Sequence, residues 1–289
     1  MQTSKIYINT PANSVAGGVE ALFQLADAIN NLGGNAILLW DIQLSDPIPD
    51  KYKHYNVKQS MNVEDNSDNW IIYPEVWTEK IYDYKYLKKA IWWLSVDNNQ
   101  DKFKDFNNSE ITHFYQSQYA LNFLIHNKVE KYLPLTDYIS PNYTEAKYIK
   151  KNKKNIICYN PVKGAEITKK IILACKDFEF VPIVGMNEFQ IINLLKSSKV
   201  YIDFGHHPGK DRIPREAAIL GNCILTNTQG AAAFYNDLPI IKKYKTSEVE
   251  EVRKNIIECF NNYDEIINDH FKWHHPPYLE QDLDFALST

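Results

Sequence analysis

A chain of 289 residues, 44% hydrophobic and 13% aromatic, has ample apolar material for one large or two small cores, which excludes disorder as its dominant state. A formal net charge of −4 argues against a broad nucleic-acid-binding face, while leaving a local basic cluster free to hold a phosphate. Cys158, Cys175, Cys223 and Cys259 are widely spaced without a C-x-x-C pair, and neither a signal peptide nor an apolar run of ~18 residues is present, so the chain reads as a soluble cytoplasmic protein with reduced thiols.

Lys5 to Asn9 predicts a strand. The loop Thr10 to Gly18 leads into a helix whose apolar face carries Val19, Leu22, Phe23, Leu25, Ala26 and Ile29, and Gly33 and Gly34 stop it before a second strand, Ala36 to Trp40. This is a βαβ unit with Gly17 and Gly18 where loop meets helix; the pair is not G-x-G-x-x-G and reads equally as a tight turn. Asp46 to Asn69 is polar and reads as irregular. Trp70 to Tyr73 and Lys88 to Val96 predict further strands, and Asp97 and Asn98 lie just past the second, where Rossmann-type sheets place functional groups and where turns and helix caps also use these residues. Ile111 to Tyr115 reads as a strand and Ser117 to His126 as a helix.

Glu145 to Asn155 is basic, lacks an apolar stripe and reads as a solvated linker between two domains. Beyond it Ile156 to Tyr159 begins a new strand, and Asn160 to Gly164 turns into a helix bearing Ile167, Ile171, Ile172 and Ala174. Lys163 and Gly164 thus follow a first strand, a common place for ligand contact, although a lysine there is also compatible with plain surface. Phe180 to Ile183, a helix from Asn187 to Ser197 and the strand Val200 to Phe204 continue the alternation.

The next loop concentrates chemistry. It runs from Gly205 through His206, His207, Pro208, Gly209, Lys210 and Asp211 to Arg212, and a helix resumes near Pro214 and ends at Gly221 before the strand Cys223 to Thr226. Unpaired amide N–H groups and the helix dipole favour an anion at such a strand-to-helix junction. Lys210, Arg212 and Arg215 add cations there, and Glu216 offers an acceptor for sugar hydroxyls; together they suggest a phosphorylated, hydroxyl-rich ligand, against the plainer reading of a solvated helix start. A short strand at Leu238 to Ile241 and a helix from Ser247 to Tyr263, with Ser247 and Glu250 as a capping box, complete the pattern. His274 and His275 precede two prolines, which breaks metal-ligand spacing, and Asp282 and Asp284 read as an exposed end rather than a D-x-D metal motif.

The segment PREAAILGNCILTN resembles the EA-x-A-x-G-x-x-x-I segment of the sugar-nucleotide glycosyltransferases built from two Rossmann-like domains (GT-B), in the glycogen-synthase-like and bacterial surface-polysaccharide branch. GGVEALFQLADAINNLGG is similar to their first glycine-rich loop and helix, and LPLTDYIS to the strand and exit of their first domain. The resemblance implies an α/β chain with two Rossmann-like domains facing a cleft: 1–144 for the acceptor, 156–265 for the sugar nucleotide, and a tail, 266–289, packing back on the first. It implies that Glu216 binds the donor ribose, that Lys163 neutralises the donor diphosphate, that Gly164, His207, Lys210, Arg212 and Arg215 complete the donor site, and that backbone N–H groups at Gly17 and Gly18 approach the donor phosphates or the acceptor. A second family acid, eight positions before Glu216, is Pro208 here; HHPGKDRIPREAA resembles a variant in which the basic loop stands in for it. The implied reaction moves a sugar from a nucleoside-diphosphate donor, as co-substrate and with no other cofactor or metal, to a glycan or lipid-linked glycan, with peripheral membrane association compatible with such an acceptor. Asp97 is the candidate catalytic group, a base if configuration inverts and an orienting acceptor if it is retained, and the resemblance leans to retention. The alternative is a non-catalytic sugar-nucleotide or glycan-binding protein of the same fold.

Overall fold

The computed structural model describes residues 4–99 and 103–270. His274, His275, Asp282, Asp284 and the expected docking of the tail from 271 onwards lie outside the described residues. The chain divides between Tyr138 and Ile139 into two compact units, each with its own sheet.

In the first unit β1 (Ile6–Thr10) leads through α1 (Gly17–Asn31) to β2 (Ala36–Trp40) and the edge strand β3 (Lys58–Ser60). The chain then crosses to β4 (Trp70–Pro74), β5 (Lys88–Trp93), β6 (Ile111–Tyr115), α2 (Gln118–His126) and β7 (Tyr132–Pro134). The seven strands are parallel in the order β3-β2-β1-β4-β5-β6-β7. Alternation along β1 builds both faces: Ile6 and Ile8 join Leu22, Phe23 and Ile29 of α1 in one core, and Tyr7 joins Ile71, Ile91 and Trp93 in the other. Because α1 carries the chain to one side of β1 and β4 lies on the other, the strand order reverses between β1 and β4, the kind of switch point at which open α/β sheets bind ligands.

The second unit begins with α3 (Pro141–Thr144) and continues as β8 (Lys154–Tyr159), α4 (Ala165–Ala174), β9 (Glu179–Pro182), α5 (Glu188–Ser197), β10 (Ser198–Asp203), α6 (Arg212–Ile219), β11 (Cys223–Thr226), α7 (Val249–Asn261) and α8 (Tyr263–His270). Its parallel sheet has the order β11-β10-β8-β9, so its switch point lies between β8 and β10. Val200, Ile202, Ile157, Leu225, Ile256 and Phe260 are buried in its core, and all four cysteines are buried free thiols.

Several expectations change. The stretch 46–69 contains a short 3-10 helix, Asp50–Tyr52, and the strand β3, whose polar residues suit a sheet edge; Gln59 accepts a hydrogen bond from the Trp40 indole at 3.0 Å. β5 stops at Trp93, and Val96–Asn99 forms a 3-10 helix. Ile139 and Tyr143 are buried in the second unit's core, and within the basic run Lys153 is buried, donating to the carbonyls of Leu195, Ser198 and Leu220 at 2.7, 2.9 and 2.6 Å. No strand forms at Leu238–Ile241: Leu238 and Ile240 are buried, but their N–H groups bond to the nearby carbonyls of Phe234 and Leu238 in turns. The helix expected from Ser247 begins at Val249 with Glu248 as N-cap, so Ser247 sits one residue too early to cap it; the capping box forms instead between Asn187 and Gln190 of α5. That helix also breaks at Asn262, and Tyr263, beyond the break, donates its hydroxyl to the Gly221 carbonyl at 2.6 Å.

Candidate functional site

At the switch point of the second unit two loops meet almost backbone to backbone. After β8, the Asn160 side chain accepts from the N–H groups of Val162 and Lys163, turning the chain, and Gly164 takes the left-handed conformation (φ 63°) that opens α4. A Cβ at Gly164 would run into the carbonyl of Phe204, and one at Gly205 into the Cβ of Lys163, so both glycines are required for this approach. Asn227 ties the second loop from behind by donating to the carbonyls of Phe204 and Gly205 at 2.7 and 2.9 Å.

Within that loop the charges are interlocked. Lys163 Nζ lies 2.6 Å from Asp211 Oδ2, and His207 Nδ1 lies 2.9 Å from the same oxygen. Thr226 gives its hydroxyl proton to the Asp203 carbonyl at 2.7 Å, and its oxygen lies 3.3 Å from His207 Nε2. Both nitrogens of the buried His207 ring thus have a partner, Asp211 in the loop and Thr226 at the end of β11. Asp203, the last residue of β10, accepts from the Gly205 N–H at 3.0 Å and the Tyr201 hydroxyl at 3.1 Å. Burial pushes the Asp203 carboxyl above its ordinary range against the pull of His207. At Asp211 burial acts in the same upward direction, but the hydrogen bond from His207 and the charge of Lys163 outweigh it and hold the carboxyl below the usual range. Asp203, His207 and Asp211 offer ligand atoms within 4.8 Å of one another, a grouping that suits a divalent ion. Lys163 brings its own cation to Asp211 Oδ2, which opposes a metal charge at that oxygen.

The first turn of α6 carries the remaining cations. Arg215 is buried and clamps the loop, Nε donating to the Asp211 carbonyl at 3.1 Å and a terminal nitrogen to that of Lys210 at 2.9 Å. Arg212 Nε lies 3.7 Å from Glu216 Oε1, one helical turn away, and both side chains are buried. Lys163, Gly164, His207, Lys210, Arg212, Arg215 and Glu216 thus come together around one switch point. His207 and Arg215, grouped with the ligand-binding residues by sequence, spend their visible contacts shaping the loop. Asp203 joins the same network; ending a buried strand two residues before a glycine is the one signal that marked it.

Gly17, Gly18 and Asp97 belong to the first unit. The two glycines begin α1 without positive φ, and a Cβ at Gly18 would meet Leu94 Cδ1 at an ordinary 3.8 Å, so Gly18 is not demanded by a tight turn. Asp97 is exposed and accepts the Tyr119 hydroxyl at 2.9 Å. The same sheet edge carries Glu75, immediately after β4, which sequence reading passed over. Glu75 is 3% exposed, and its carboxyl accepts from the Leu94 N–H at 3.1 Å and the Asn98 amide at 3.5 Å; burial pushes its pKa up to about 7 against these donors.

No protein-family model matches the sequence, and no curated protein matches it. Solved structures do match along its length. A glycosyltransferase from Rickettsia africae is 13% identical with a TM-score of 0.63, covering 100% of this chain and 98% of its own. Anabaena HepE, solved with UDP and glucose, is 11% identical with a TM-score of 0.61, covering 99% and 100%. WaaG, a glycosyltransferase of lipopolysaccharide biosynthesis, is 10% identical with a TM-score of 0.57, covering 98% of each chain. The chain has the fold of the GT-B glycosyltransferases, two Rossmann-like units with parallel sheets.

Proposed function

We propose that the chain is a glycosyltransferase that moves a sugar from a nucleoside-diphosphate donor to a glycan or lipid-linked glycan. The observation that carries this reading is the pair of interlocked loops at the β8–β10 switch point, set on a fold shared with HepE, which was solved with UDP and glucose. Departure of a nucleoside diphosphate builds negative charge, and fixed cations with amide donors aimed at it lower the barrier. Lys163, Lys210 and Arg212 supply that charge, each charge-assisted hydrogen bond contributing roughly 1.5–3 kcal/mol. Two or three such bonds replace a divalent ion, so transfer is metal-independent. Glu216 holds the donor ribose, Gly164 lets the backbone approach the diphosphate, and His207 and Arg215 keep the loop in shape. In the first unit, the start of α1 at Gly17 and Gly18 and the exposed carboxylate of Asp97 serve the acceptor, with configuration retained and Asp97 orienting the attacking hydroxyl.

The test is a thermal-shift titration with UDP, GDP and ADP, since a ligand bound by the native state raises the melting temperature with concentration. One of the three is expected to stabilise the parent, and Glu216→Ala and Arg212→Ala to weaken it about 10- to 100-fold. Unchanged binding by both variants removes the donor assignment. Transfer that stops in EDTA and returns with manganese removes the metal-independent mechanism.

A further inference from the structure

We propose that a cavity at the amino-terminal edge of the second unit's sheet binds a small phosphorylated polyol. The cavity has a volume of about 450 Å³ and lies within that unit, between the 3-10 helix Lys150–Asn152, the start of β10 and the junction of α7 with α8. Lys199 lies near the start of β10, and Asp203 ends it among the interlocked loops, about 13 Å further along the strand. The cavity is therefore separate from the β8–β10 switch point, and the proposal does not depend on the glycosyltransferase reading.

Three lysines supply charge to the cavity. Lys151 is exposed, whereas Lys150 and Lys199 are half-buried and held in place. Lys150 donates to the Asn268 amide oxygen at 2.6 Å, and Lys199 donates to the Phe260 carbonyl at 3.0 Å with its ammonium 5.5 Å from the Tyr263 ring. An ammonium has three donors, so these positioned groups keep donors for a ligand beyond the bonds they make here. Lys153 backs the cavity with its own donors spent on three carbonyls. The start of α8 acts in the same direction: α7 breaks at Asn262, whose carbonyl takes the Ile266 N–H, and the first amides of α8 have no acceptor within their own helix. Fixed ammonium groups around a recess at a helix start suit a phosphate.

The same wall disfavours a bare ion. Asp264 and Glu265, exposed in the first turn of α8, also line the cavity; they repel an anion and accept hydrogen bonds from hydroxyls. Asn261 and Asn262 add amides, and the volume is that of a small-molecule site rather than a single ion. A phosphate carried on a chain of hydroxyls satisfies both sets of groups, and a recess fits a soluble molecule better than a lipid headgroup.

Calorimetry on the full chain tests the site with sorbitol 6-phosphate, inorganic phosphate and sorbitol, each with and without excess UDP. Sorbitol 6-phosphate has no carbonyl to condense with lysine. It is expected to bind in the presence of UDP and more tightly than phosphate, and sorbitol is expected not to bind. Lys150→Gln combined with Lys151→Gln is expected to weaken it about tenfold and to leave UDP affinity unchanged. Asp264→Asn combined with Glu265→Gln is expected to strengthen phosphate and weaken sorbitol 6-phosphate, an inversion that misfolding does not produce. Binding abolished by UDP places the ligand at the other site and overturns the proposal, as do affinities unchanged in the lysine variant or a parent that binds neither phosphate. Vesicles of phosphatidylglycerol that sediment the parent but not the lysine variant, with no sorbitol 6-phosphate bound, assign the phosphate to a lipid and overturn the soluble ligand. A parent that binds sorbitol 6-phosphate through these lysines but no nucleotide upholds this site and counts against the donor reading alone.

Discussion

A carboxyl that is nearly out of water and faces only neutral N–H donors is a proton balance in miniature. Burial disfavours the charged form of Glu75, the N–H groups of Leu94 and Ser95 and the Asn98 amide favour it, and burial prevails, leaving the group near pKa 7 rather than its ordinary 4.5. The raised value fixes the sign of the linkage: the folded state holds a proton that the unfolded chain has released, so this contribution to stability is complete below about pH 4.5 and is lost as pH rises through about 7. Glu75→Gln cannot titrate. Its stability relative to the parent is therefore expected to rise by about 2 kcal/mol between pH 5 and pH 8, read from urea midpoints at the two values. A pH-independent difference between the two proteins would mean that Glu75 is ionised throughout. Lys153 is the opposite case at this scale. Burial pushes its pKa down to about 7, yet three carbonyls and the Tyr148 ring, 5.0 Å away, surround the ammonium. It fastens the ends of α5 and α6 to the start of β10.

At the scale of elements, the β8–α4 and β10–α6 loops depend on one another. Gly164 holds φ 63° and has the Phe204 backbone where a side chain would be, so Gly164→Ala must push the two loops apart and carry Lys163 away from Asp211. The substitution is expected to cost about 1–3 kcal/mol of stability and to weaken nucleotide binding more than tenfold, by urea unfolding and calorimetry. Nucleotide affinity that survives Gly164→Ala would show that the ligand does not need the closed pair of loops. The elements themselves were legible in local pattern, because the strand Cys223–Thr226 and the helices α1 and α4 are apolar runs or stripes bounded by glycine. Leu238–Ile241 misled for the same reason: its buried apolar residues look like a strand, but what makes a strand is a neighbour at hydrogen-bonding distance, and its N–H groups are spent locally. The β3 strand was illegible because an edge carries polar residues on both sides.

For the whole molecule, the proposed function assigns the two partners to different units. Amide hydrogen exchange with and without the nucleotide is expected to show protection at 160–164 and 204–216 in the second unit and none at 10–18 in the first. Protection confined to 10–18 would exchange the roles of the units. What the sequence by itself determined is the repeated β–α alternation, the two-domain α/β class and the clustering of Lys163, Lys210, Arg212 and Glu216 near strand ends, because periodicity and punctuation are local and survive without knowledge of what packs where. Only the tertiary structure decided which strands lie side by side, and therefore where the order reverses. That reversal brings Gly164 against Phe204, turns His207 and Arg215 inward as loop braces, and buries Glu75, which no motif marks, against the Leu94 N–H after β5. Contacts between residues far apart in the chain, and the burial that shifts a carboxyl's pKa, are properties of the packed sheet, and no window of neighbouring residues contains them.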